Sequence, residues 1–369
     1  MKLNNSLIIT IVLIIISICI LIFIEFRKKK VKESFTNYKK CDKYAIGDII
    51  GNIFESNSIS KTKSNNWDIY LPCGYNNVEK ELKTIIPNNS KQIIFGISGC
   101  DMLVSKNGIW ILLLQRYGRE RAKEIMPESY LINNKSEMKI FMKKYIPGRT
   151  YILKKNIQRK KGILLTNNIN DILYSRNEKY KIVQEYISNV YTINKRKLNL
   201  RLYVVVICRN KNITAYVHNY GKCIYTNKDY NENNTDFESN ITSYNLNQSI
   251  YEKNPLTLSE LRSYMRGQGD DYHSLMTKIY SSLSLVVSSA DKTLGQISNL
   301  NNNTTFQLFG VDVVFTKNLK PYILEFNKGP DMVPKSNRDR ELKMRIEEDM
   351  FSLIGIIPKN ENNLFIKIF

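Results

Sequence analysis

Histidine is almost missing from this chain: His218 and His273 are the only two in 369 residues. Chemistry that needs several imidazoles therefore has no supply here, and each of the two reads as structural. Cysteine is also sparse, at positions 19, 41, 73, 100, 208 and 223, with no C-x-x-C pair. No zinc site is expected from that spacing. Cys19 falls in an apolar run, and an odd remainder of five argues against a closed disulfide framework. Acidic residues are few for the number of basic ones, 34 against 55, which leaves a formal charge of +21. Such a surplus attracts anionic lipid, nucleotides, acidic protein tails or nucleic acid. Lys, Asn and Ile are all abundant, so an AT-rich coding bias accounts for part of it. A content of 43% hydrophobic and 11% aromatic residues is that of a globular protein.

One long apolar run is present, LIITIVLIIISICILIFIEF from Leu7 to Phe26. About twenty such residues cross the hydrocarbon core of a bilayer as a helix. Arg27, Lys28, Lys29 and Lys30 follow directly, and only Lys2 and the amino terminus stand on the other side. By the positive-inside rule the run is a single-pass anchor with the remainder facing the cytosol. Its length and basic end distinguish it from a cleaved signal peptide.

Residues 1–32 are thus read as anchor and basic flank, and 33–92 as a linker and lead-in. The main domain is placed at 93–356 and a C-terminal tail at 357–369. From Ile93 onward, short apolar runs alternate with amphipathic ones, the pattern of an α+β fold. Helices are expected over 136–145, 272–294 and 338–354. Strands are expected over 151–154, 181–187 and 202–208, and a surface loop over the Asn- and Ser-rich stretch 230–250.

The most informative segment is FQLFGVDVVFTKNLKPYILEFNKGP, Phe306 to Pro330. It reads as two strands, 306–316 and 321–327, joined by a turn at 317–320. A symmetric turn sets Thr316 opposite Pro321, Val314 opposite Ile323, and Asp312 opposite Glu325. Opposed residues on antiparallel strands have Cβ atoms about 4.5–5.5 Å apart. Two carboxylates so placed repel unless one is protonated or a cation bridges them. Asn327, two residues beyond Glu325, joins the same face. Asp312, Glu325 and Asn327 then form a hard oxygen cluster suited to magnesium or manganese.

The same segment resembles the tubulin–tyrosine ligase-like family, whose members carry ELFG-x-D followed by LKPWLLEVN-x-SP and belong to the ATP-grasp ligases. Further blocks match in order: IMPESYLI at 125–132, YILKKNIQRKKGI at 151–163, VQEYI at 183–187, KRKLNLRLYVVV at 195–206, YTN at 225–227 and DRELKMRIEEDMFSLIGI at 339–356. The resemblance implies an ATP-grasp fold, with nucleotide held between two α/β subdomains. It implies that Lys154 and Lys106 neutralise phosphate oxygens and that the loop Gln158–Gly162 closes over them. Gln184, Glu185, Tyr186 and Ile187 would line the adenine. Lys197, Asn199 and Asn227 would lie by the ribose and phosphates, and Arg201 would face the γ-phosphate. Asp312, Glu325 and Asn327 would hold Mg2+ or Mn2+. The implied reaction is ATP-dependent: a carboxylate becomes an acyl phosphate and an amine then displaces the phosphate. The acceptor would be an acidic protein tail, tubulin being the family's usual one, with no specific nucleic acid as partner.

The chain departs from the family in places. Glu185 stands where the family has Lys, Asn199 where it keeps an acid, and Lys328 and Asp331 where it has small polar residues. Ile224 falls where glutamylating members carry an Arg for the incoming amino acid. Lys222 and Lys343 are the remaining substrate-side cations. Two other readings follow: an ATP-grasp ligase acting on another peptide or a small molecule, and a catalytically silent membrane-anchored binding or structural protein.

Overall fold

The computed structural model describes residues 16–18, 35–74, 77–157, 162–242 and 246–369. All but three residues of the apolar run 7–26 lie outside these, so the expected anchor does too. No helix among the described residues is long and apolar enough to cross a membrane. Asn37–Phe369 forms one compact unit.

Its strands are β1 (Asn37–Lys39), β2 (Ser60–Lys61), β3 (Ile69–Tyr70), β4 (Ile93–Phe95), β5 (Ser129–Leu131), β6 (Tyr151–Lys154) and β7 (Ile163–Thr166). They continue as β8 (Ile182–Glu185), β9 (Thr192–Ile193), β10 (Arg196–Arg209), β11 (Asn212–Tyr225), β12 (Thr304–Phe315), β13 (Pro321–Lys328) and β14 (Phe365–Lys367). Ten of them form one sheet in the order β14-β11-β10-β12-β4-β3-β1-β2, with β13 also paired to β12 and β9 to β10. The other four form a second sheet, β5-β8-β6-β7. The fold is mixed α/β, as the alternating apolar runs require.

Period-two alternation along β10 decides what faces the core. Leu198, Leu200, Leu202, Val204 and Val206 enter the main hydrophobic cluster together with Trp110, Leu113, Ile279, Leu283 and Val286 of the helices Gly108–Ile125 and Tyr272–Ala290. The opposite face is covered over Val205 and Ile207 by the helix Asn337–Ile354, which packs on β10, β11 and β14. At the other end of that face lie Lys197, Asn199 and Arg201. The helix starts on Ser336, whose hydroxyl accepts from the Asp339 N–H, and ends on Gly355 in the left-handed region at φ 92°.

Four expectations are corrected. Residues 33–92 are not a linker: β1–β3 extend the large sheet, and the helix Asp48–Ser56 buries Ile49, Ile53 and Phe54. Phe54 meets Phe351 with ring centroids 5.1 Å apart, a contact sequence spacing cannot show. The tail 357–369 pairs back through β14 onto β11. Within 230–250, Asn240 is wholly buried and its amide holds Asn234 and Asp236. Cys41 and Cys73 are also bonded, against the expectation from an odd count, because β1 and β3 are neighbours and bring their Cα atoms to 5.4 Å.

Candidate functional site

The site grows from the hairpin β12–β13. Asp312 pairs with Glu325, as the sequence suggested, but by a different route. Near the turn the register is Phe315 opposite Pro321, Val314 opposite Tyr322 and Val313 opposite Ile323, one residue tighter than a symmetric turn gives. The ladder then shifts, leaving Leu324 unpaired, before Asp312 meets Glu325. This bulge matters. Val313 and Ile323 belong to the main core, so unbroken alternation would send Glu325 into the core as well. The extra residue turns Glu325 and Asn327 to the face of Asp312 while Phe326 returns to the core.

The neighbouring strands continue the row. Arg201 of β10 pairs with Asp312 on one side and with Lys222 of β11 on the other. Four charged side chains, Lys222, Arg201, Asp312 and Glu325, thus stand in register across four strands. Arg201 holds Asp312 with two hydrogen bonds, Nε to Oδ1 at 2.6 Å and Nη2 to Oδ2 at 3.0 Å. Gly310 makes room for this, since a Cβ there would lie 2.9 Å from Pro330 Cβ and 3.2 Å from Arg201 Cδ. Lys106 donates to Glu325, and the Asn327 amide donates to Glu325 Oε1 at 3.2 Å. Each carboxylate therefore has its own cation, and repulsion between them does not by itself require a metal.

Electrostatics separates the pair. Burial raises the Asp312 carboxyl above its usual range, and Arg201 only partly offsets this. Burial acts on Glu325 in the same sense, but Lys106, Lys154 and the Asn327 amide together outweigh it and bring Glu325 down to about 2. The donor set of two half-buried carboxylates and an amide oxygen suits a hard divalent ion, and it offers no soft ligand.

The second sheet supplies the other lysine. Lys154, at the end of β6, is buried and donates to Gln184 Oε1 of β8 at 2.7 Å. Gln184 is fixed in turn by Ser129 Oγ at 2.7 Å. Burial, and then the charge of Lys106, lower Lys154 to about 8. Lys197 falls to about 7 through burial and then the charge of Lys154. It donates to Tyr186 Oη at 3.0 Å, and Tyr186 donates to Asn240 Oδ1 at 2.9 Å. Asn199 donates to Thr242 Oγ1 at 3.0 Å, while its own buried Oδ1 has no hydrogen-bond partner among the described residues.

Lys106, Lys154, Gln184, Tyr186, Lys197, Asn199 and Arg201 thus line one charged and polar region together with the hairpin acids. Glu185 turns to Arg149 at 3.1 Å, and Asn227 donates to Glu238. The segment 158–161 lies outside the described residues. Gly162 sits against Lys155, where a Cβ would come within 2.8 Å of its Cβ. Lys222 and Lys343 are joined through Asp339, each donating to one of its oxygens at 2.9 Å.

Sequence reading gave Asp339 no role, although its i,i+4 spacing to Lys343 on a helix was the available signal. Gly310, two residues before Asp312 on the same face, was a second one. Another cluster, Glu79, Cys100 and Asp101, has its ligand atoms within 4.8 Å. Glu79 accepts from the Gly99 and Asp101 N–H groups, Asp101 is paired with Lys328, and burial pushes the Cys100 thiol well up. That cluster is internally satisfied.

A sequence model of the tubulin-tyrosine ligase family matches residues 87–364. The chain is 24% identical over 267 residues to tubulin polyglutamylase TTLL5 of Mus musculus, covering 67% of this chain and 20% of that one. It is 28% identical over 226 residues to tubulin polyglutamylase ttll-5 of Caenorhabditis elegans, covering 56% and 30%. Against probable tubulin polyglutamylase TTLL2 of Homo sapiens it is 29% identical over 209 residues, covering 54% and 34%. The chain thus spans a fifth to a third of the length of these curated relatives.

Proposed function

The chain belongs to the tubulin-tyrosine ligase family, and on that premise we propose that it is an ATP- and magnesium-dependent ligase joining an amino acid to a protein carboxylate, with an acidic tail of the tubulin type as acceptor. The observation that carries this reading is the in-register row Arg201–Asp312–Glu325, with Lys106 and Lys154 beside it. The arrangement fits an ATP-grasp ligase, in which nucleotide lies between the four-stranded and ten-stranded sheets.

Asp312, Glu325 and Asn327 hold the magnesium, which when bound supplies positive charge to the phosphate oxygens. Lys154, from the four-stranded sheet, and Lys106, from the loop before the helix Gly108–Ile125, neutralise the phosphates. Gln184 positions Lys154 through its hydrogen bond and, with Glu185, Tyr186 and Ile187, lines the base. Lys197, Asn199 and Asn227 lie toward the ribose. Arg201 lies beside the γ-phosphate, where its planar fork meets charge spreading over the transferred phosphoryl oxygens. The acceptor carboxylate attacks phosphorus and ADP departs. The amine then attacks the acyl carbon, phosphate leaves, and an amide bond forms. Lys222 and Lys343 are the cations available to the carboxylate of the incoming amino acid.

Hydroxylamine tests the intermediate. Protein, magnesium–ATP, tubulin and hydroxylamine, without amino acid, should give tubulin hydroxamate in proportion to ADP. ADP without hydroxamate speaks instead for a small-molecule acceptor.

The apolar run 7–26 and the cations 27–30 support a single-pass anchor with the ligase domain in the cytosol. One observation favours the opposite orientation: the Cys41–Cys73 bond belongs to the kind that persists in oxidising compartments. Protease added to sealed cytosolic-side-out vesicles separates the two, cleaving the domain in the first case and sparing it in the second.

A further inference from the structure

We propose that the helical face of the four-stranded sheet is a docking surface for an anionic lipid bilayer. This is independent of the ligase reading. The helices Lys135–Lys144 and Ile169–Tyr174 cover one face of that sheet: Phe141 and Ile172 share a small core with Tyr130, Tyr151, Leu153 and Val183. Just beyond the first helix and just before the second, Tyr145 Oη donates to the Asn167 carbonyl at 3.4 Å. Their outer side is unusual for a protein surface. Met142 is 47% exposed, Ile146 46%, Leu173 53% and Tyr174 65%.

These side chains are bordered by the exposed cations Lys139, Lys143, Arg176 and Lys179, none of which has a carboxylate partner among the described residues. Between Ser129 and Glu185 the sequence holds thirteen Lys and Arg against four Asp and Glu. Scattered exposed apolar residues are ordinary, but Met142, Leu173 and Tyr174 on the two helices, with Ile146 in the loop after the first, amid cations with no carboxylate partner among the described residues, match the headgroup boundary of a bilayer. Lipid phosphates meet the ammonium and guanidinium groups while the Leu, Ile, Met and Tyr side chains enter the acyl region. An extended acidic polypeptide would satisfy the charges and leave the apolar side chains in water, so the bilayer is the better occupant. The chain itself carries the apolar run 7–26 and its basic flank, which would bring it to a membrane.

The test uses the full chain in nanodiscs of phosphatidylcholine alone or with phosphatidylserine. Hydrogen exchange is followed over 135–150 and 169–180, with 258–290 as internal reference. The expected result is exchange several-fold slower in both segments only in the anionic discs. Leu173→Asp with Tyr174→Ser, and separately Lys139→Glu with Lys143→Glu, should each abolish it. All four positions are exposed, and the reference segment reports whether the variants stay folded. Equal exchange in the two kinds of disc overturns the proposal. So does protection by a polyglutamate peptide in neutral discs with none from anionic lipid, which would assign the face to an acidic protein.

Discussion

Arg201 grips Asp312 across two neighbouring strands, Nε to Oδ1 at 2.6 Å and Nη2 to Oδ2 at 3.0 Å, with both side chains largely out of solvent. A fork of this geometry belongs to guanidinium alone. Lysine keeps the charge but cannot make both bonds. Arg201→Lys should therefore leave the affinity for magnesium–ATP within a few-fold while turnover falls by roughly 10²–10³. Nucleotide titration beside single-turnover kinetics checks this. Loss of affinity with unchanged turnover would place Arg201 elsewhere in the cycle.

Gly310 is the room that fork requires. In Gly310→Ala the new methyl meets Pro330 and Arg201. Arg201 must yield, because the Pro330 ring is rigid. Overpacking of this kind costs about 1–3 kcal/mol. Thermal unfolding should show a loss in that range, and activity should fall further than the stability change explains. An active and fully stable Gly310→Ala protein would mean that Arg201 does not need its present position.

Lys154, at about 8, and Lys197, at about 7, are partly neutral in the free protein at pH 8. A polyphosphate brought beside them favours their charged forms, so nucleotide binding at pH 8 should take up protons. Calorimetry in two buffers of different ionisation enthalpy measures the uptake directly. It should shrink in Lys154→Met and in Lys197→Met. Buffer-independent heats in the parent protein would place the phosphates away from both lysines.

Two buried groups set opposite pH limits on stability. His218 donates from Nε2 to Asp349 and accepts the Tyr220 N–H at Nδ1, which fixes it as neutral, and burial lowers its pKa. Its contribution is present above 6.5 and is lost as pH falls from there toward the folded-state value. Burial raises Glu347 to about 8, and its Oε2 has no hydrogen-bond partner among the described residues. In this case the folded state holds a proton that the unfolded state releases, so stability declines as pH rises from 4.5 to 8. Glu347→Gln should raise the melting temperature by several degrees at pH 8 and change it little at pH 4.5. An equal shift at both pH values would show that Glu347 is not protonated in the fold.

The facing of Asp312 and Glu325 was legible in the sequence because hairpin strands announce themselves by composition and a short turn. The bulge at Leu324 was not, since nothing in YILEFN marks which residue will be unpaired. The long strand β10 was legible only in part: its Val-rich end reads as a strand, but its polar start at Arg196 looks like a loop until β9 and β12 pair with it. The helix Asp48–Ser56 was hidden for a similar reason. Its buried face needs Phe351, some three hundred residues away, before it reads as core. Ordered blocks made the family visible, whereas Asp339 binding Lys222 to Lys343 is a long-range contact that only the fold brings together.

The central claim is tested most directly by incubating the full chain with magnesium–ATP, tubulin and a mixture of labelled amino acids. Label should enter tubulin with the parent protein and fall by at least about a hundredfold in Glu325→Gln, which removes a metal-binding charge and keeps the shape. Labelling that persists undiminished in Glu325→Gln would contradict it, as would a parent protein that neither labels tubulin nor is stabilised by magnesium–ATP.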